Sequence, residues 1–183
     1  MDLSPLTKIA GIAVLSLAGL APTEGTDDVA TVPAVDLNRY AGTWYEQARL
    51  PNRFQRQCHR SVSATYTPQP DGSVTVVNSC LRENGTTASA TGKAEVADPA
   101  QPGLLQVTFM PIGLRWLPFT HAEYRVVALD DDYQWSIVGG KNRQYLWVLT
   151  RAQNVDSEQR EQLVDRARAL GYDTTGLQFS STH

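Results

Sequence analysis

Glu46 stands out among the residues of this chain able to do chemistry. It shares one face of a β-type run with Trp44, Ala48 and Leu50, while Tyr45, Gln47 and Arg49 take the opposite, polar face. An acid among apolar neighbours can act as a general acid or base. More commonly it pairs with a neighbour or meets the polar end of a ligand. The other candidates are sparse. His59, His121 and His183 lack zinc-like spacing, and neither a Gly-x-Ser-x-Gly elbow nor a phosphate-binding loop occurs. No catalytic residue, metal site or cofactor is therefore assigned. Cys58 and Cys80 are the only cysteines.

The start of the chain bears on those cysteines. Lys8 precedes an apolar run from Ile9 to Ala21, and the text turns polar at Thr23-Glu24-Gly25. This layout predicts a secretory leader over residues 1–21, with Ser16-Leu17-Ala18 as a small-residue cleavage site. Leu17-Ala18-Gly19 looks like the start of a bacterial lipoprotein processing box, but Leu20 stands where the acylated cysteine belongs. Residues 22–35 read as a flexible tether. An exported chain meets an oxidising compartment, where two cysteines usually pair, so a Cys58–Cys80 disulfide is expected. A periplasmic or outer-membrane-associated location follows from the same leader.

The elements that must position Glu46 are short strands. With 183 residues, 42% hydrophobic and 19% charged, the chain suits one soluble domain of about 150 residues after the leader. A net charge of −3 gives no general reason to bind nucleic acid. Strands are predicted near 43–50, 60–67, 73–81, 86–97, 103–110, 121–129, 133–139 and 144–151. Turn signals separate them, such as Pro68-Gln69-Pro70-Asp71-Gly72, Asn84-Gly85 and Asp130-Asp131-Asp132. With no helix between strands, the pattern is an antiparallel meander. One helix follows, about 157–170. Asp156 is its N-cap, Leu163, Val164, Ala167 and Leu170 share a face, and Gly171 ends it. The fold class is all-β with one flanking α-helix: an eight-stranded antiparallel up-and-down β-barrel over residues 36–183, wide enough inside for one small ligand.

Alternation nominates the lining. Besides Glu46, Ala48 and Leu50, the inward set is Val62, Ala64 and Tyr66 on the second strand, then Val76 and Asn78 on the third. Ala90 on the fourth strand sits in a run of small residues with Gly92 and Ala94, which leaves room inside. Val107 and Phe109 follow on the fifth strand, and Tyr145 and Trp147 on the last. The sixth strand is mixed on both faces. Its odd positions, if inward, add Arg125 and Val127, with Glu123 beside Glu46.

Gly42-x-Trp44 on the first strand, Arg151 ending the last strand and the C-terminal helix together resemble the lipocalins, particularly bacterial outer-membrane lipocalins similar to apolipoprotein D. The matching segments include residues 39–46, Ala64-Thr65-Tyr66, Gly92-Lys93-Ala94, Ala128-Leu129-Asp130 and residues 145–151. Asp130-Asp131-Asp132-Tyr133 matches the family's Thr-Asp-Tyr motif only loosely. The resemblance implies a calyx whose narrow end is plugged by Trp44, with Arg151 across the indole in a sheltered cation–π contact. Gly42 then turns the chain into the barrel.

If Trp44 marks the closed end, connectivity puts loops 51–59, 82–86, 111–120 and 140–143 at the mouth. Arg53, Arg56, Arg60, Arg82, Arg115, Lys141 and Arg143 then ring it against Glu83 alone, while Asp71, Asp98 and Asp130 to Asp132 lie at the far end. An apolar cavity under a cationic rim suits an amphiphile with an acidic head, of fatty acid or lysophospholipid type. The loop "PIGLRWLPF", with Arg115, Trp116 and Phe119, is too apolar for a solvated connection. It is expected to cover the mouth as a lid or to touch an outer-membrane surface. The function expected is binding, storage or transport of a hydrophobic or amphipathic small molecule, without catalysis. The alternatives are a lipid-modifying enzyme using Glu46 and a docking module using loop 111–119.

Overall fold

The computed structural model describes residues 29–111 and 121–181. The expected leader, the start of the tether and the residues Arg115, Trp116 and Phe119 lie outside them. Eight antiparallel strands follow one another: β1 (Gly42–Arg49), β2 (Arg60–Pro68), β3 (Val74–Leu81), β4 (Thr87–Val96), β5 (Leu104–Thr108), β6 (Ala122–Leu129), β7 (Trp135–Gly139) and β8 (Leu146–Thr150). Each pairs with the next, β8 returns to β1, and β1 also pairs with β2, so the sheet closes into a barrel. Closure leaves β1 and β2 apart near the mouth. A short C-terminal strand, β9 (Gln178–Phe179), fills the gap: it pairs with β1, and Ser61 donates its amide to Ser181. Neither β9 nor the four-residue helix α1 (Leu37–Tyr40) has a signal in the sequence strong enough to predict it.

Helix α2 (Ser157–Ala169) lies against the outside of the barrel. Asp156 caps it by accepting the Gln159 amide at 2.7 Å, and Leu163, Val164 and Ala167 are its buried face. Leu163 packs with Ala48 and Val148; Ala167 packs with Val127, Ile137, Leu146 and Tyr172. These strand residues therefore point out of the barrel, which corrects two of the expected lining positions. Ala48 is sealed under α2, and Leu50 belongs to the same outer cluster.

The cause is a β-bulge in β1. Glu46 lies opposite Leu149 and Ala48 opposite Val148, so Gln47 is the extra residue. Its side-chain amide donates to Thr150 Oγ1 at 2.8 Å and to the carbonyl of Gln153 at 3.1 Å. Beyond the bulge the parity inverts, so Arg49, predicted outward, turns in opposite Trp147. A second irregularity between Val126 and Ala128 does the same on β6. Val126 faces in, Val127 and Ala128 face α2, and Leu129 faces in again. Val127 is thus a second-layer core residue rather than a lining residue.

Up to Val126 the even positions of β6 point inward, not the odd ones. Arg125 lies outside the barrel, buried, with Glu123 Oε2 at 2.8 Å, and it donates to the carbonyl of Val29 at 2.8 Å. Residues 29–35, read from composition as part of a tether, lie along the barrel wall. Val29 is buried in the outer cluster, the Val32 amide donates to Val126, and Thr31 sits over Gly103. Arg125 is what anchors this segment.

Candidate functional site

The barrel interior is built in cross-strand rows. Trp44 lies opposite Ala64, Ala64 opposite Asn78, and Asn78 opposite Ala90. Tyr66 lies opposite Val76, and Val76 opposite Gly92. Val107 sits between Ala94 and Ala122. Because strands tilt in a closed barrel, each row climbs from floor to mouth. Trp44 is wholly buried, whereas Asn78, Ala90 and Ala122 are exposed although they face the lumen. Solvent thus reaches well down the interior. Gly92 shows how the space is shared: a Cβ there would come within 2.8 Å of the Phe109 ring, so the missing side chain is what lets Phe109 lie against β4.

The floor is aromatic and phenolic. Arg151 lies over the Trp44 ring at 3.9 Å and donates to the carbonyls of Thr43, Arg39 and Tyr133. A Cβ on Gly42, whose φ is +95°, would sit 3.3 Å from Arg151 Nη1, so glycine is required there twice over. The Trp44 indole donates to the carbonyl of Tyr40 at 2.8 Å. Above it, the hydroxyls of Tyr66 and Tyr124 are 2.7 Å apart, those of Tyr124 and Tyr40 are 3.1 Å apart, and Tyr40 donates to Ser136. Burial pushes all three phenols above the ordinary tyrosine range, so they remain neutral donors and acceptors.

Nearer the mouth a polar cluster sits on the β1–β8–β9 wall. Glu46 Oε1 accepts from Arg49 Nη1 at 2.5 Å and from Ser180 at 2.6 Å, and its Oε2 accepts from Gln55 at 2.7 Å. Gln55 comes from a single 3-10 turn, Arg53–Gln55, which Asn52 caps by accepting two amides. The Gln55 carbonyl oxygen receives the Trp147 indole at 2.8 Å and the Asn52 side-chain amide at 2.7 Å. Tyr145 stacks on Trp147, and Phe54, more than half exposed, leans on Tyr145. The Cys58–Cys80 disulfide, with Cα atoms 5.5 Å apart, ties this loop to β3 beside Val62 and Ala88.

Of the residues expected to line the cavity, Glu46, Val62, Ala64, Tyr66, Val76, Asn78, Ala90, Val107, Phe109, Tyr145 and Trp147 face the lumen. Ala48, Leu50, Arg125 and Val127 do not. Arg53 and Arg56 are exposed at the mouth, as are Arg82 and Lys141. Arg143, in the loop between β7 and β8, donates to the carbonyl of Leu170 at 3.2 Å and packs on Gly171, so it also serves the C-terminus of α2. Arg49, Gln55, Ser180, Tyr40 and Tyr124 were missed. For Arg49 the signal was the bulge, which alternation alone does not register; Gln55 and Ser180 come from segments with no periodicity to read.

Known proteins share this geometry. The lipocalin-like domain family matches residues 35–182. Temperature-induced lipocalin-1 of Arabidopsis thaliana is 38% identical over 152 residues, 82% of this chain and 81% of that protein. The outer membrane lipoprotein Blc of Escherichia coli (strain K12) is 34% identical over 176 residues, 96% of this chain and 94% of that protein. Insecticyanin from the tobacco hornworm Manduca sexta shares the fold, with a TM-score of 0.67, 21% identity and 85% coverage of each chain. With a closed eight-stranded barrel, one flanking helix, and a tryptophan and arginine stacked at its floor, this chain belongs to the lipocalin family.

Proposed function

We propose that this protein binds a fatty acid or lysophospholipid in the barrel and stores or carries it within the cell envelope, without chemical conversion. Lipocalins bind small hydrophobic ligands, and the lumen here has the matching chemistry. The observation that carries the reading is the polarity gradient along the barrel. Apolar and small residues line its middle, Trp44 and Arg151 close the floor, and exposed Arg53, Arg56, Arg82 and Lys141 surround the mouth. An alkyl tail gains roughly 0.8 kcal/mol per buried methylene, while the cations favour an acidic head.

Location in the envelope draws support from the apolar N-terminal run and from the relatives named outer membrane lipoprotein. A carrier role, not catalysis by Glu46, fits the three hydrogen bonds that already occupy its carboxylate. Native mass spectrometry of protein taken directly from cell extract tests the proposal. A co-purifying species of lipid mass is expected; a barrel that is empty and also indifferent to added fatty acid rules it out.

A further inference from the structure

Between the first mouth loop and β9 lies a solvent-open cleft of about 650 Å³. Arg49, Arg53, Arg56, His59, Gln178 and Ser180 are among its walls, and no carboxylate lines it among the described residues. Arg49 forms the inner wall and is 91% buried, being 9% exposed. One guanidinium nitrogen is held by Glu46, but the buried Nε has no hydrogen-bond partner among the described residues. Leaving such a donor unsatisfied is costly, so the Arg49 guanidinium keeps unspent donor capacity beside the cleft. Arg53 and Arg56 are exposed, and neither pairs with a carboxylate among the described residues. Three arginines with one unmet buried donor suit a tetrahedral, doubly charged oxyanion better than a single carboxylate.

We propose that this cleft is a phosphate subsite, in which Arg49, Arg53 and Arg56 donate to the oxygens of a phosphate monoester. Gln55 and Arg49 form the partition between cleft and lumen, since both line the cleft and both bind Glu46 on the lumen side. A phosphate held here therefore lies next to the mouth. That its bearer is a lipid with its tail in the barrel rests on the carrier reading; the phosphate contact itself rests on the cleft alone.

The test uses the full chain with three probes: 1-oleoyl lysophosphatidic acid, 1-oleoylglycerol and glycerol 3-phosphate. The Arg49 Nε–Hε resonance is followed by NMR, and lipid affinities by intrinsic fluorescence. The resonance is expected to shift with a phosphorylated probe and not with 1-oleoylglycerol. The phosphorylated lipid should bind about tenfold more tightly than 1-oleoylglycerol, as charge-assisted hydrogen bonds imply. In the surface variant Arg53→Gln/Arg56→Gln that gap should close, through weaker binding of the phosphorylated lipid.

A shift with glycerol 3-phosphate shows that phosphate alone suffices, and a shift with the phosphorylated lipid alone shows that the headgroup arrives with its tail. If neither lipid enters the barrel yet glycerol 3-phosphate moves the resonance, the carrier reading fails and the subsite stands. An Arg49 resonance unmoved by both phosphorylated probes, or moved equally by 1-oleoylglycerol, overturns the subsite and leaves the carrier reading intact.

Discussion

Glu46 and Arg49 are three residues apart in sequence, which on a regular strand puts them on opposite faces. The bulge at Gln47 brings them to the same face and into contact in the barrel wall. An ion pair this sheltered is weak evidence of net stability, because both charges lose their hydration. Removing one partner is costly, because the other charge is then stranded. Glu46→Gln should therefore destabilise the fold by about 3 kcal/mol. Glu46→Gln/Arg49→Met should cost clearly less than the sum of the two single changes. Urea unfolding of the four proteins in this cycle measures the coupling, and additive losses would show that the pair is not a unit. At the same scale, Cys58→Ser/Cys80→Ser releases a closed loop of about 20 residues, for a loss of roughly 3 kcal/mol in the chain-entropy model. The midpoint of thermal unfolding reports it. The loss should be the same in protein prepared without disulfide from the outset and in wild type under reductant.

At the scale of elements, the helix and the strands beneath it decide which alternation can be trusted. Both bulges, at Gln47 and near Val127, put additional outward residues on the side of the barrel that α2 covers. Gly139 belongs to the same contact. A Cβ there would fall 1.9 Å from the Tyr172 hydroxyl, so β7 has no side chain where Tyr172, three residues past the end of α2, lays its ring. Gly139→Ala should thus cost about 1–3 kcal/mol through overpacking. Gly85→Ala, with nothing within 4 Å but a φ of +79°, should be felt only through backbone strain. Comparing the thermal midpoints of Gly139→Ala and Gly139→Ala/Tyr172→Ala separates the clash from any intrinsic effect of the methyl group. The same region shows what the sequence discloses. Strand limits and the helix from Ser157 to Ala169 were legible because each has a local signature, whereas the Trp44–Arg151 stack was expected only from the resemblance to the lipocalins. The inward face was legible wherever strands are regular, as in β3 to β5 and in β2 from Ser63 onward. It failed at Ala48 and Leu50, because a one-residue slip reverses every side chain beyond it and leaves no trace in composition, and at Arg125 and Val127, because β6 is mixed on both faces and alternation alone does not choose between them. Arg125 is especially opaque: its value lies in holding Val29, 96 residues away in the chain.

For the molecule as a whole, one end of the barrel must stay shut while the other admits a guest, and the floor does this with hydroxyls as well as rings. Tyr40, Tyr66, Tyr124 and Ser136 satisfy one another across β2, β6, β7 and α1, so polar groups are buried without being left unpaired. This ties the closed end to proton occupancy. An unfolded tyrosine ionises near 10.0, whereas burial holds these phenols above that value in the fold. The folded protein therefore retains protons that the unfolded chain releases. The contribution to stability is fully present below pH 10 and is lost as the pH rises above it. At pH 11 the loss is about 1.4 kcal/mol for a phenol held as far above its ordinary value as Tyr66. Urea unfolding at pH 8 and at pH 11 should show that decline, and Tyr66→Phe, less stable at pH 8, should lose less on going to pH 11. Tyrosinate absorbance gives an independent check. Tyr40, Tyr66 and Tyr124 should remain silent until the protein unfolds. Complete titration of all seven tyrosines below pH 11 with the barrel still folded would mean that the floor is wet and that the closed end is not closed.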